Sequence, residues 1–285
     1  MQVNKIMVAG AGQMGHGIAQ VAAQAGFTTY VYDVKDEFVQ RGTGNIRKNL
    51  DRQVEKGKLP AETRDAIAAR LIPTTDLNMA READVVIEAI PEDMELKKDF
   101  FRQVDAICPP HTVLASNTSA IPITKLAAAT DRPGKVAGMH FMNPVPVMQL
   151  VEIVEGNQTS PETLQTIEEL ATAFGKVSVK AKDYPGFLST RLVIPFINEA
   201  LYSLYEGRGT LEDIEKCAKL GLNHPMGPFE WLDFVGLDSI LAIMQNLYQS
   251  FGDTRYFPCP LLVQMVQAGR LGRKVGRGFY EYSNK

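Results

Sequence analysis

His140 and Glu152 close the two ends of the stretch HFMNPVPVMQLVE. An imidazole and a carboxylate brought together make an acid–base pair. The imidazole moves a proton near neutral pH, and the carboxylate fixes its tautomer and balances its charge. Glu152 poses the sharper question, because it lies inside the apolar run Leu150-Val151-Glu152-Ile153-Val154. Such a run reads as a buried strand, and a buried carboxylate without a partner is costly. Asn143-Pro144, between the two, is a turn signal that can fold the chain back and bring them together.

A second chemistry is written near the N-terminus. Lys5-Ile6-Met7-Val8-Ala9 runs into Gly10-Ala11-Gly12-Gln13-Met14-Gly15, a GxGxxG directly after a strand and opening a helix. Gly10 permits a tight turn, Gly12 lets backbone approach a pyrophosphate, and Gly15 lets helix and strand pack closely. Phosphates then lie at a helix N-terminus, where free N–H groups and the dipole favour anions. Gln13 and Met14 belong to the same candidate cofactor-binding segment. The next strand, Thr29-Tyr30-Val31-Tyr32, ends in Asp33, at the spacing of a ribose-binding acid. A carboxylate there accepts from both ribose hydroxyls and repels a 2′-phosphate, which points to NAD over NADP. Lys35 nearby tempers that preference.

These residues need a scaffold, and the pattern supplies one. Candidate strands at 3–9, 29–33, 84–88, 112–115 and 135–141 alternate with helical patterns at 14–25, 36–57, 61–70 and 93–107. A helix over 161–174 and a strand over 176–181 follow. The alternation predicts an α/β fold, a Rossmann-type doubly wound parallel sheet. At Asp183-Tyr184-Pro185-Gly186 the character changes to helical periodicity. Val193, Ile194, Ile197, Leu201, Leu204 and Tyr205 form one apolar helix face, and Trp231, Phe234, Leu237, Leu241, Met244, Tyr248 and Phe251 another. Residues 1–184 are thus expected to be an NAD-binding domain, and 185–285 an all-helical C-terminal domain.

Composition excludes several classes. The chain has 285 residues, 45% hydrophobic and 22% charged, with a net charge of −3. That balance gives no basic footprint for nucleic acid or anionic lipid. No apolar stretch reaches the roughly 20 residues needed to span a bilayer, and the first apolar piece is too short for a signal-peptide core. Cys108, Cys217 and Cys259 are odd in number and far apart, so a reducing, cytoplasmic setting is expected. No ligand spacing suggests a metal.

Taken together, HFMNP with PVPVMQLVE, Ser116-Asn117-Thr118-Ser119, Pro185-Gly186-Phe187, Asn223-His224-Pro225-Met226-Gly227-Pro228, and Leu271-Gly272-Arg273-Lys274 ahead of Gly278-Phe279-Tyr280 closely resemble the L-3-hydroxyacyl-CoA dehydrogenase family. Within it they resemble the bacterial 3-hydroxybutyryl-CoA dehydrogenases. The resemblance runs the length of the chain. It implies an enzyme that interconverts (S)-3-hydroxyacyl-CoA, with short chains favoured, and 3-oxoacyl-CoA using NAD, in fatty acid and butanoate metabolism. It implies that His140 is the general base, that Glu152 orients and charge-balances it, and that Ser119 hydrogen-bonds the substrate oxygen. It carries cofactor contacts to Glu92, Lys97, Ser119, Asn143 and Lys274, acyl-CoA contacts to Arg52 and Lys56, and a homodimer to the helical domain. One position departs from the family: in Gly186-Phe187-Leu188-Ser189-Thr190-Arg191, Thr190 stands where an asparagine usually precedes the arginine. Threonine keeps one hydroxyl in place of an amide, so Thr190 is expected to make a single hydrogen bond to the substrate, directly or through a water.

Plainer readings compete with each assignment. Arg52 and Lys56 fit a solvated helix face almost as well as a CoA site. Ser119 fits a helix N-cap. His16, His111 and His224 lack the company His140 has, and His224 reads as a structural loop residue. The alternatives for the whole chain are a dehydrogenase of another 3-hydroxy acid or thioester, and an NAD-binding protein without turnover. The intact set His140, Glu152 and Ser119 argues against the latter.

Overall fold

The apolar runs of the first half become the strands of one eight-stranded sheet. The computed structural model describes residues 2–282. In chain order these are β1 (Lys5–Ala9), α1 (Gln13–Gln24), β2 (Thr28–Tyr32), α2 (Asp36–Glu55), α3 (Ala61–Ala68), β3 (Leu71–Thr74), β4 (Val85–Glu88), α4 (Met94–Ile107), β5 (Val113–Ser116), α5 (Ile123–Ala127), β6 (Val136–Phe141), β7 (Leu150–Glu155), α6 (Pro161–Ala173) and β8 (Val177–Lys182). The spatial order is β3-β2-β1-β4-β5-β6-β7-β8. Strand order reverses between β1 and β4, and in such sheets ligands bind at that crevice, beyond the strands' C-terminal ends. Ala9, Asp33 and Glu88 all lie at that end.

The Rossmann-type α/β reading holds, with two differences. β6 and β7 pair antiparallel, while the other neighbours are parallel. The link between β6 and β7 is a short turn, and only an antiparallel pair can be joined that way. The strand β3, Leu-Ile-Pro-Thr, carried no strand signal in the sequence. It is four residues long and contains Pro73, which lacks an N–H, so it fits at the edge beside β2.

Contacts divide the chain between Phe187 and Leu188. From Leu188 onward the elements are helical: α7 (Ser189–Tyr205), α8 (Leu211–Lys216), α9 (Pro228–Val235), α10 (Leu237–Phe251) and α11 (Pro260–Gln267). The apolar periodicity over 231–251 proves to be two helices and not one. Gly236, at φ 106°, breaks it. Of the expected face, Leu237 and Met244 are buried, while Trp231, Phe234 and Leu241 are only partly so; Leu232, Ile240 and Leu247 complete the buried face instead. On α7, Ile194, Ile197 and Leu201 are buried as the period requires, and Tyr205 is exposed. No helix among the described residues is long and apolar enough to cross a membrane.

Candidate active site

The glycine loop has the shape its sequence asks for. Gly10 adopts φ +100°, and a Cβ there would collide with the carbonyl of Ala89. A Cβ on Gly15 would collide with the carbonyl of Gly10, so β1 and α1 approach closely at that point. A Cβ on Gly12 would meet no protein atom within 4 Å, which leaves the space above it for a ligand. Helix α1 has no side-chain N-cap and no acid in its first turn, so its terminal N–H groups are available to phosphate. Asp33 accepts from Ala11 N through Oδ2 at 2.8 Å and from Val34 N through Oδ1 at 2.8 Å. Each oxygen keeps further acceptor capacity for a ribose hydroxyl. A cleft of about 660 Å³ runs past Gly10, Gly12, Gln13, Met14, Asp33 and Val34. These residues fit a dinucleotide.

Beside the loop lies a buried ion cluster. Glu88, at the end of β4, is fully buried, and Lys97 on α4 is 1% exposed. Lys97 Nζ donates to Glu88 Oε1 at 2.5 Å and to the Ile90 carbonyl at 3.1 Å, and lies 3.3 Å from Glu92 Oε2. Ser116 Oγ donates to Glu88 Oε2 at 2.6 Å, and Ile90 N donates to Oε1 at 2.7 Å. Burial pushes the Glu88 carboxyl above its ordinary range, against the opposing pull of Lys97. Glu92 reaches across to the next loop, accepting from the Thr118 hydroxyl, from Ser119 N at 3.2 Å and from Ala120 N at 3.3 Å. So Glu92, Lys97 and Ser119 belong to one connected network. Ser119 is not a helix N-cap: Thr118 accepts from Ala120 N and Ile121 N, and α5 begins only at Ile123. Asp183 accepts from the first two N–H groups of α5.

His140 and Glu152 are directly opposite each other in the β6–β7 ladder. Opposed residues of an antiparallel pair project to the same face with Cβ atoms ~5 Å apart, so register alone makes the side chains meet. Glu152 Oε2 lies 2.6 Å from His140 Nδ1. Glu152 is fully buried and His140 is 8% exposed. With Nδ1–H donated to the carboxylate, Nε2 is the nitrogen with the lone pair. Asn117 holds the strand end: its Oδ1 accepts from Phe141 N at 2.9 Å, and its own N donates to the Glu88 carbonyl at 2.8 Å. The turn carrying Asn143 is fastened by Lys176 Nζ, which donates to the carbonyls of Val145 at 2.5 Å and Met148 at 2.9 Å. The ring of Phe187 stands edge-on to the imidazole, with centroids 5.8 Å apart. Phe187 itself has φ 43°, a left-handed conformation that costs a bulky residue of order 1–3 kcal/mol.

Three of these residues were not singled out in the sequence. Glu88 ends the run Val85-Val86-Ile87-Glu88, a carboxylate in an apolar strand, which is the same signal that drew attention to Glu152. Asn117 and Phe187 lay inside recognised motifs with no role attached. Among the expected acyl-CoA contacts, Arg52 is on α2 and Lys56 caps it, and both are exposed. In the second unit, Thr190 is buried in the first turn of α7. Lys274 is bound by both carboxylate oxygens of Asp238 at 2.6 Å. The hairpin following Lys274 is docked by buried Asp233, which accepts from Phe279 N, Tyr280 N and the Tyr282 hydroxyl. His224 stacks on Phe196 at 4.7 Å, next to Asn223 at φ 56°.

Comparison with known proteins gives a consistent answer. Residues 5–184 match the family model for the 3-hydroxyacyl-CoA dehydrogenase NAD binding domain, and residues 186–282 the model for the corresponding C-terminal domain. A probable 3-hydroxybutyryl-CoA dehydrogenase of Bacillus subtilis (strain 168) is 52% identical over 285 residues, covering 100% of this chain and 99% of that protein. The 3-hydroxybutyryl-CoA dehydrogenase of Bradyrhizobium diazoefficiens is 46% identical, over 98% and 96% respectively. The crystal structure of (S)-3-hydroxybutyryl-CoA dehydrogenase from Ralstonia eutropha superposes with a TM-score of 0.96 at 43% identity, covering 99% of this chain and 100% of that one.

Proposed function

This chain belongs to the 3-hydroxyacyl-CoA dehydrogenase family, and we propose that it interconverts a short-chain (S)-3-hydroxyacyl-CoA, such as 3-hydroxybutyryl-CoA, and its 3-oxoacyl-CoA with NAD. The observation that carries the chemistry is the 2.6 Å bond between His140 Nδ1 and buried Glu152. In oxidation His140 takes the 3-hydroxyl proton at Nε2, and the resulting imidazolium faces the Glu152 carboxylate. Without that proton transfer, loss of hydride would leave an oxocarbenium-like carbon. Bound NAD supplies the hydride acceptor. In reduction His140 returns the proton. Ser119, whose loop is tied down by Glu92, donates to the substrate oxygen and polarises it. The deciding assay is loss of NADH absorbance with acetoacetyl-CoA. No NADH oxidation at any protein concentration would favour a binding protein without turnover.

Cofactor choice follows from Asp33. A phosphate on the ribose 2′-oxygen would face a carboxylate already fixed by two backbone N–H groups and unable to swing away. NAD(H) is therefore expected to exceed NADP(H) clearly in kcat/KM. Equal values for the two would contradict the assignment.

The proposal extends to the division of labour. Residues 1–184 would carry the cofactor, and 185–285 the substrate and the contact between two copies. Leu192, Leu220 and Leu222 are exposed large apolar side chains of this unit, which a second copy would cover. A homodimer in the cytoplasm is expected, and light scattering that gave a monomer at micromolar concentration would count against it. Glu92, Lys97, Asn143 and Lys274 are proposed cofactor contacts, and Arg52 and Lys56 proposed CoA contacts. Thr190 is proposed to give one hydroxyl hydrogen bond to the substrate. Thr190→Ala should then raise KM for acetoacetyl-CoA, and Thr190→Val, nearly isosteric, should do the same. If both variants keep kcat and KM, the hydroxyl has no substrate role.

A further inference from the structure

Phe187 is a large apolar residue in a backbone conformation that suits glycine. It follows Pro185 and Gly186 in a turn closed by Phe187 N donating to the Tyr184 carbonyl at 2.9 Å, with Gly186 at φ 79° and Phe187 at φ 43°. Pro followed by a positive-φ Gly is the signature of a type II turn. That turn accounts for Gly186 but not for a second left-handed residue. A bulky side chain held at positive φ signals that its surroundings over-determine it, often at a functional site. Here the ring is 3% exposed and stands edge-on to His140, with centroids 5.8 Å apart and planes at 60°.

We infer that Phe187 is a positioning residue for proton transfer: its ring holds the His140 imidazole in place and keeps water off the bond to Glu152. Glu152 restrains the imidazole through Nδ1, and the aromatic edge of Phe187 restrains the ring from a second side. The same ring excludes solvent, and a charge pair shielded from water attracts more strongly than a hydrated one. The titratable group facing His140 across the ladder is Glu152 on β7, and Phe187 brings no charge of its own. The cost of the left-handed backbone is thus offset by placing a ring where the turn alone would not put one.

This inference rests on His140 being the proton-transfer group, so its test includes His140→Gln. Phe187→Leu keeps an apolar filling but loses the flat edge, and Phe187→Gly relieves the backbone but removes the ring. Both are expected to keep NADH affinity, read by fluorescence titration, and to lower kcat for acetoacetyl-CoA reduction ~10-fold or more, as small misplacements of a reacting group do. KM for acetoacetyl-CoA should stay near wild type, because only the geometry of proton transfer is disturbed. In the His140→Gln background, Phe187→Leu should change nothing further. A kcat unchanged in Phe187→Leu overturns the inference, as does an equal further loss in the His140→Gln background or a matching rise in KM, which would mark simple loss of packing. If Phe187→Gly fails to fold, Phe187→Leu decides alone. An active His140→Gln enzyme would instead overturn the assignment of the base, whatever Phe187 does.

Discussion

Replacing His140 with glutamine is expected to lower kcat for acetoacetyl-CoA reduction by about 10²- to 10⁴-fold, the usual worth of a positioned acid–base group, while NADH affinity stays near wild type. The imidazole lies on β6, three strand positions along the sheet from the glycine loop on β1, so removing it should not disturb pyrophosphate binding. Glu152→Gln is the more discriminating change. The amide keeps the size of the carboxylate and accepts from Nδ1–H through its carbonyl, but it carries no charge to balance an imidazolium. It also leaves a buried amide N–H₂ to find partners. A large fall in kcat is expected, because the imidazolium that proton transfer requires loses its anion. Near-wild-type rates in Glu152→Gln across the pH range would sink the dyad, even if His140→Gln were inactive. Because the two side chains act as a unit, the double variant should be little worse than the worse single one.

The pair was legible in the sequence for a physical reason. An apolar run excludes water, so a carboxylate inside it demands a partner, and Asn143-Pro144 between two strands predicts that the chain returns on itself. Antiparallel register then does the rest. The glycine loop was legible because GxGxxG after a strand specifies backbone positions, and Gly10 and Gly15 each sit where a Cβ would collide with a carbonyl. What stayed hidden has equally physical causes. Strand β3 is short and contains proline, so it has neither alternation nor length to announce it. The break at Gly236 was masked because α9 and α10 each continue the apolar spacing, and a glycine inside a helical period is tolerated often enough to pass unnoticed. Lys97 was expected at the cofactor, but its buried carboxylate neighbour was not, since a lysine in the first turns of α4 reads as an ordinary solvated cation until the partner strand is known.

That buried pair supplies the second large effect. Lys97→Met removes the cation from Glu88, which is fully buried and keeps only the Ser116 hydroxyl and Ile90 N as donors. Breaking a buried pair on one side costs about 3–5 kcal/mol, which for a protein of this size lowers Tm by roughly 10 °C. The defect should depend on pH with a definite sign. Burial already raises the Glu88 carboxyl, and Lys97 opposes that rise, so losing Lys97 raises it further. A carboxyl held higher in the folded than in the unfolded chain is least harmful at acid pH, where both states are protonated. Its cost grows as the pH climbs through the ordinary carboxylate range and the unfolded chain releases its proton first. Thermal melts of Lys97→Met should therefore approach wild type in acid and fall away toward neutrality. Glu88→Met combined with Lys97→Met removes both charges and fills the volume with apolar atoms. It should be more stable than Lys97→Met alone, although the loop from Ile90 to Glu92 loses its anchor and NADH affinity should stay low. If the two single losses simply add in the double variant, the charges are not coupled and the 2.5 Å contact contributes nothing as a pair. If the double variant recovers both Tm and NADH affinity, the cluster is structural only, and Lys97 has no part in holding the cofactor.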